Sequence, residues 1–187
     1  MLHEFSQNQE LAAKFAEIQE SLQGGRVVDI VGPIEQGDEK KWLAKFQELL
    51  LQGDGPIVLR LNTPGGYIKS ANDFATEIGN LQEQGKARKI YTLAHNHCAS
   101  AGTYLLLSLG TSGIFSTPNT TIRFHGSVDT NISEEAKKPY HVINWGLEFI
   151  LNERNPFIEW KNAIENDQSF SAESARSAML IDGIVTM

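Results

Sequence analysis

Apolar positions alternate between helical and strand periods along this chain, and that alternation predicts the architecture. Leu11, Phe15, Ile18 and Leu22 fall at helical spacing, giving the opening segment one apolar stripe that ends at Gly24-Gly25. Docking of that stripe within the same domain is one expectation and docking on a neighbouring subunit the other. Val27 to Val31 forms a short β-rich run closed by Gly32-Pro33. Trp42, Phe46, Leu49 and Leu50 then mark a helix from about Asp38 to Leu51. Gly53-Asp54-Gly55-Pro56 breaks the chain, Ile57 to Leu61 is the next apolar strand, and Asn62-Thr63-Pro64-Gly65-Gly66 turns it into a helix with Ala71, Phe74, Ile78 and Leu81 on its buried face.

Lys89 to Ala94 reads as a third strand, followed by small residues at Ala99 to Gly102 and the apolar stretch Tyr104 to Leu109. Gly113 to Ser116 and Thr121 to Phe124 are further strands. From Ser133 to about Asn152 the pattern is helical, with Val142, Trp145 and Phe149 on one side and Ile143, Leu147, Ile150 and Leu151 broadening the apolar arc. A last helix follows Ser171-Ala172-Glu173, and a terminal strand lies near Ile184-Val185. Strands separated by helices in this way predict right-handed βαβ units and a largely parallel sheet. Active residues are then expected in strand-to-helix loops, at the carboxyl ends of the strands.

Composition narrows the class. The chain has 187 residues, which suits one well-buried domain rather than two. Its formal net charge of −7 disfavours a surface built for nucleic acid, where clustered Lys and Arg must replace phosphate counterions. No apolar run is long enough to span a membrane, and the opening residues lack the basic and apolar regions of a secretory signal, so the expected compartment is the cytoplasm. Cys98 is the sole cysteine, which excludes an intrachain disulfide and reads as a small buried packing residue.

Amide hydrolysis by a serine needs a hydroxyl, an imidazole to take its proton, a group to orient that imidazole, and donors for the oxyanion. Ser100 stands at a predicted strand-to-helix turn, flanked by small side chains that leave room for a substrate backbone. His125 follows a predicted strand, Asp167 precedes a helix whose expected cap is Ser171, and Gly65-Gly66 lets a backbone approach closely. Each also has a plain structural reading: an N-cap for Ser100, a surface residue for His125, a turn for the glycines, a solvated carboxylate for Asp167. His95 and His97 alternate on a strand as metal ligands would, but no further ligands lie at a recognisable spacing, so neither a metal nor a cofactor is expected.

Taken in order, several segments resemble the proteolytic subunit of the Clp protease (ClpP), from about Val27 to Val185. Val28-Asp29-Ile30-Val31-Gly32-Pro33-Ile34 is similar to the family's first strand and turn, and Leu61-Asn62-Thr63-Pro64-Gly65-Gly66 to its glycine motif. Cys98-Ala99-Ser100-Ala101-Gly102 is similar to its nucleophile segment, Pro118 to His125 to its histidine segment, and Asp167 to Ala175 with Leu180-Ile181-Asp182-Gly183-Ile184 to its aspartate segment and closing helix and strand.

The resemblance implies an α/β fold of the ClpP/crotonase-like kind, a spiral of ββα units with a largely parallel sheet. Residues 1–25 would then be an N-terminal amphipathic helix and residues 26–187 a ClpP-like peptidase domain. It implies a Ser100, His125 and Asp167 triad, with Gly65 or Gly66 and the N–H of Ala101 as oxyanion hole. Also implied are a peptide or unfolded-protein substrate and a homo-oligomeric ring, with an ATPase unfoldase as a candidate partner. The chain departs from the family pattern at Asn96, where a glycine is usual, and at Gly126-Ser127, where a polar residue and proline are usual. The stretch from His125 to Asp167 resembles a shortened form of the family's, which leaves double rings and the unfoldase open. Two other readings stand beside the peptidase: a crotonase-type acyl-CoA enzyme, which shares the fold's oxyanion hole, and a non-catalytic assembly subunit.

Overall fold

In this computed structural model, residues 2–87, 89–125 and 134–186 are described, residues 2–6, 134–142 and 145 by backbone alone. The order of elements is α1 (Leu2–Gln23), β1 (Val27–Val31), α2 (Asp38–Leu51), β2 (Ile57–Thr63), α3 (Ile68–Glu83), β3 (Ile90–Ala99) and α4 (Ala101–Leu109). Then come β4 (Gly113–Ser116), β5 (Thr121–Arg123), α5 (Glu134–Arg154), α6 (Trp160–Glu165), β6 (Ser169–Ser171), α7 (Ala172–Ser177) and β7 (Gly183–Ile184). The fold is α/β with a mostly parallel sheet, as expected.

Strand alternation explains why both faces of the sheet are covered. On β2, Ile57, Leu59 and Leu61 pack with Phe46 of α2, Phe74 of α3 and Leu105 of α4. Val58, between them, points the other way, to a second cluster with Tyr91, Leu93 and Phe115. The α1 stripe closes that second face. Ile18 is fully buried against it, with Leu11, Phe15 and Leu22 partly buried around it. The opening helix therefore docks within its own domain.

The sheet runs in the order β1-β2-β3-β4-β7, every pair parallel. β3 extends five residues beyond the expected end at Ala94 and serves two partners on one edge. Its first half pairs with β4 through Tyr91 to Ala94, and its last residues, His97 to Ala99, pair with β5. Between the halves the register with β2 shifts, Leu61 facing Ala94 while Thr63 faces Cys98. That bulge is where Asn96 takes a positive φ of 61°, a conformation open to Gly and tolerated by Asn. The departure at Asn96 therefore falls where the chain takes a left-handed backbone, which Asn tolerates better than most residues.

β6 pairs antiparallel with β5 and, like α6, was not anticipated from the sequence. Among the residues of α5 whose side chains are described, Ile143, Leu147 and Leu151 are buried, whereas Phe149, expected on the apolar arc, is 59% exposed. The side chains of Val142 and Trp145, the expected helix start at Ser133, and Gly126-Ser127 lie outside the described residues. Among the described residues, no helix is long and apolar enough to cross a membrane.

Candidate active site

Ser100 occupies the turn between β3 and α4 with φ 54° and ψ −123°, a conformation that L-residues rarely adopt. It holds the N-cap position of α4, yet its hydroxyl makes no capping bond, so the plain structural role open to it is not the one it fills. The strained turn is fixed from both sides. Ser100 N–H donates to the Arg123 carbonyl at 3.1 Å, and Thr103 Oγ1 donates to the same carbonyl at 2.8 Å. A sharp strand-to-helix turn of this kind lifts a serine Oγ out of the sheet edge.

The glycine motif lies against this turn. A Cβ placed on Gly65, whose φ is 89°, would stand 2.6 Å from Ser100 Cβ and 3.0 Å from the Ala101 nitrogen. Gly66, at φ 142°, passes so close to β1's exit that a Cβ there would meet the Ile34 carbonyl oxygen at 2.3 Å. Within the motif, the Gly65 N–H donates to Thr63 Oγ1 at 3.0 Å, Ile34 N–H to the Gly65 carbonyl at 2.8 Å, and Tyr67 N–H to the Ile34 carbonyl at 2.7 Å. The Gly66 N–H enters none of these bonds. Ala101 opens α4, where an N–H has no partner within the helix.

Small side chains around Ser100 also serve packing, while Ala101 lines the cleft beside Ser100. Ala101 is buried, and a Cβ on Gly102 would clash with Thr63 Cγ2 at 2.4 Å. Close contact of α4 with the end of β2 is what they permit.

His125 is reached through the register of β5. Ile122 pairs with Phe170 and Arg123 with Ser169, and the Phe124 N–H continues the ladder to the Gln168 carbonyl at 2.9 Å. His125 directly follows, and Asp167 directly precedes, the two residues joined by that last bond. On the other side, Ala99 pairs with Arg123, which brings Ser100 beside Phe124 and His125. Ser100 and His125 line one small cleft together with Ile68, Tyr104, Ile143 and Leu147. Asp167 sits at φ 53° in the turn between α6 and β6, its Oδ2 3.7 Å from a guanidinium nitrogen of Arg123. Three adjacent strand ends therefore bring Ser100, His125 and Asp167 into one neighbourhood.

Cys98, next but one to Ser100, is fully buried, and burial pushes its thiol up to about 12. It is not an alternative nucleophile near neutral pH. His95 Nδ1 lies 3.2 Å from Thr117 Oγ1, and among the described residues no group of three or more metal-ligating side chains includes it or His97. Ser171 caps α7 as expected, accepting from the Ser174 N–H at 3.2 Å. Thr63, Thr103 and Arg123 were missed from the sequence. Thr63 had a readable signal, since a hydroxyl two residues before a glycine can close a local turn onto its N–H.

A family model described as Clp protease matches residues 8–187. The chain belongs to the Clp protease family. Among solved structures, the ClpP protease catalytic domain from Plasmodium falciparum superposes with a TM-score of 0.71 at 19% identity, over 88% of this chain and 87% of that one. At that identity the likeness establishes the shared fold. Membership of the Clp protease family supports a peptidase, and so a hydrolase, with a ClpP-like fold.

Proposed function

We propose that this Clp protease family member is a serine peptidase in which Ser100 attacks the peptide carbonyl, His125 takes its proton and returns it to the leaving amine, and Asp167 holds the imidazole and stabilises its charged form. The observation that carries this reading is the shared cleft: Ser100 on a strained turn with its hydroxyl free of capping, His125 lining the same cleft, and Asp167 next to the last ladder bond, from Phe124 to Gln168. The N–H groups of Gly66 and Ala101 are the proposed oxyanion donors. Gly66 is preferred to Gly65 because the Gly65 N–H is bonded to Thr63 Oγ1.

Strain at Ser100 of about 1–3 kcal/mol supports catalysis over a scaffold role, because a pure scaffold gains nothing from it. An acyl-CoA enzyme of crotonase type would need the oxyanion donors but neither His125 nor Asp167. The substrate is a peptide or unfolded polypeptide, and subunits assemble into a ring around the sites in the cytoplasm, with an ATPase unfoldase as candidate partner. Hydrolysis of fluorogenic peptides by the wild type, Ser100→Ala and His125→Ala tests the reading. Loss of roughly 10⁴-fold or more in kcat is expected for each variant. Turnover surviving in Ser100→Ala would exclude the serine mechanism.

A further inference from the structure

The cleft that Ser100 and His125 share is nearly full. Its free volume is about 20 Å³, room for one water-sized group. Ala101 lines it as well, so the cleft lies beside both the serine and the first residue of α4, whose N–H is a proposed oxyanion donor. A carbonyl attacked by Ser100 sits between those two, and the side chain on its acyl side is the substrate group nearest the cleft.

The walls are held from several elements. Phe124 is buried and stands edge-on to Trp160 and Phe170, with ring centroids 6.2 Å and 5.9 Å away. The Tyr104 hydroxyl donates to Asn72 Oδ1 at 3.2 Å, so swinging that ring out of the cleft breaks a bond to α3. Ile68 and Ile164 are fixed in the main core. From α5, Ile143 and Leu147 enter the same core one helical turn apart and close the remaining side. Among the described residues lining the cleft there is no Asp, Glu, Lys or Arg, so a charged substrate side chain would find no counterion from one of these residues there.

We propose that this cleft is the subsite for the residue on the acyl side of the scissile bond and that it takes a single methyl group, so that the enzyme cleaves after alanine in preference to larger residues, with Ile143 and Leu147 setting the limit. This rests on the serine peptidase reading above. A methyl fills the available space and buries itself against apolar walls. Leucine adds a branched carbon group beyond that methyl and phenylalanine a whole ring, and either enters only if packed walls part.

The test is kcat/KM of the full chain on three fluorogenic aminocoumarin peptides that differ only in the residue before the scissile bond: Ala, Leu or Phe. Hydrolysis should be fastest after Ala, at least about 10-fold slower after Leu, and slower still after Phe. A smaller margin, or faster hydrolysis after Leu or Phe, would overturn the size limit while leaving Ser100 as nucleophile. Ile143→Ala and Leu147→Ala each remove part of the α5 wall, and a variant that still labels with a fluorophosphonate should narrow the Ala-to-Leu ratio about 3-fold or more. An unchanged ratio in such a variant would overturn the assignment of the limit to α5, and the wild-type series decides the size limit whether or not either variant folds. Wild type that labels with fluorophosphonate but cleaves none of the three peptides would also contradict an alanine subsite. Neither labelling nor cleavage would instead remove the serine peptidase reading, and this proposal with it.

Discussion

Gly65 lies against the Ser100 turn: a single methyl group on Gly65 would come within 2.6 Å of the Ser100 Cβ and 2.7 Å of the Ala99 carbonyl oxygen. The glycine motif and the nucleophile turn therefore hold each other's shape, although 35 positions of sequence separate them. Gly65→Ala adds a Cβ at a φ of 89° and into that contact, so the turn must shift. The expected outcome is a loss of about 100-fold in kcat/KM and a destabilisation of about 1–3 kcal/mol. Peptide hydrolysis together with chemical denaturation checks both, and a fully active Gly65→Ala would contradict the contact.

Cys98 gives a prediction about pH. Its thiol ionises near 9.0 when solvated and near 12 when buried in the fold. The folded chain therefore keeps a proton that the unfolded chain releases, and stability falls as pH rises from about 9 toward 12. By pH 10.5 the loss attributable to Cys98 is about 2 kcal/mol, and Cys98→Ala should show a correspondingly shallower decline. Iodoacetamide at pH 8 should leave the native protein unmodified and alkylate it in denaturant. Rapid alkylation of the native protein would mean that the thiol is exposed.

The docking of α1 carries the opposite sign. Glu17 accepts from Lys89 Nζ and from the Tyr91 hydroxyl, both at 2.6 Å, and these bonds, the Lys89 one foremost, hold its carboxyl below the usual value of 4.5. A carboxylate depressed by folding adds stability above its unfolded value and loses it as pH falls through the folded one. The thermal midpoint should fall between pH 5 and pH 3, with a smaller drop in Glu17→Gln. Ile18→Ala, by contrast, should cost about 2–5 kcal/mol at neutral pH, because the residue is fully buried between α1 and the sheet. An unchanged midpoint in Ile18→Ala would mean that α1 does not dock as described.

Much of this was legible in the sequence because the strands are apolar runs bounded by glycine and proline, and because their order matches a known family. β1, β2, β4, α2, α3 and α4 fall close to where the patterns place them. β6 and α6 were hidden because they are short: Ser169-Phe170-Ser171 has one apolar residue, and Trp160–Glu165 spans fewer than two turns. Without β6, Asp167 reads as a loop residue; the antiparallel ladder brings it next to the Phe124–Gln168 bond, one residue from His125's strand. β3 was cut short because Asn96 and two histidines break the apolar run at the bulge. The packing of Thr63 against Gly102 is not legible in the sequence, because it joins residues far apart along the chain.

The central claim is that Ser100 is activated by its neighbours, and the most direct measurement is peptide mapping by mass spectrometry after fluorophosphonate treatment of wild type, Ser100→Ala and His125→Ala. A single adduct on Ser100 in the wild type, absent from both variants, is the predicted result. An adduct on another residue, or labelling that persists in Ser100→Ala, would contradict it.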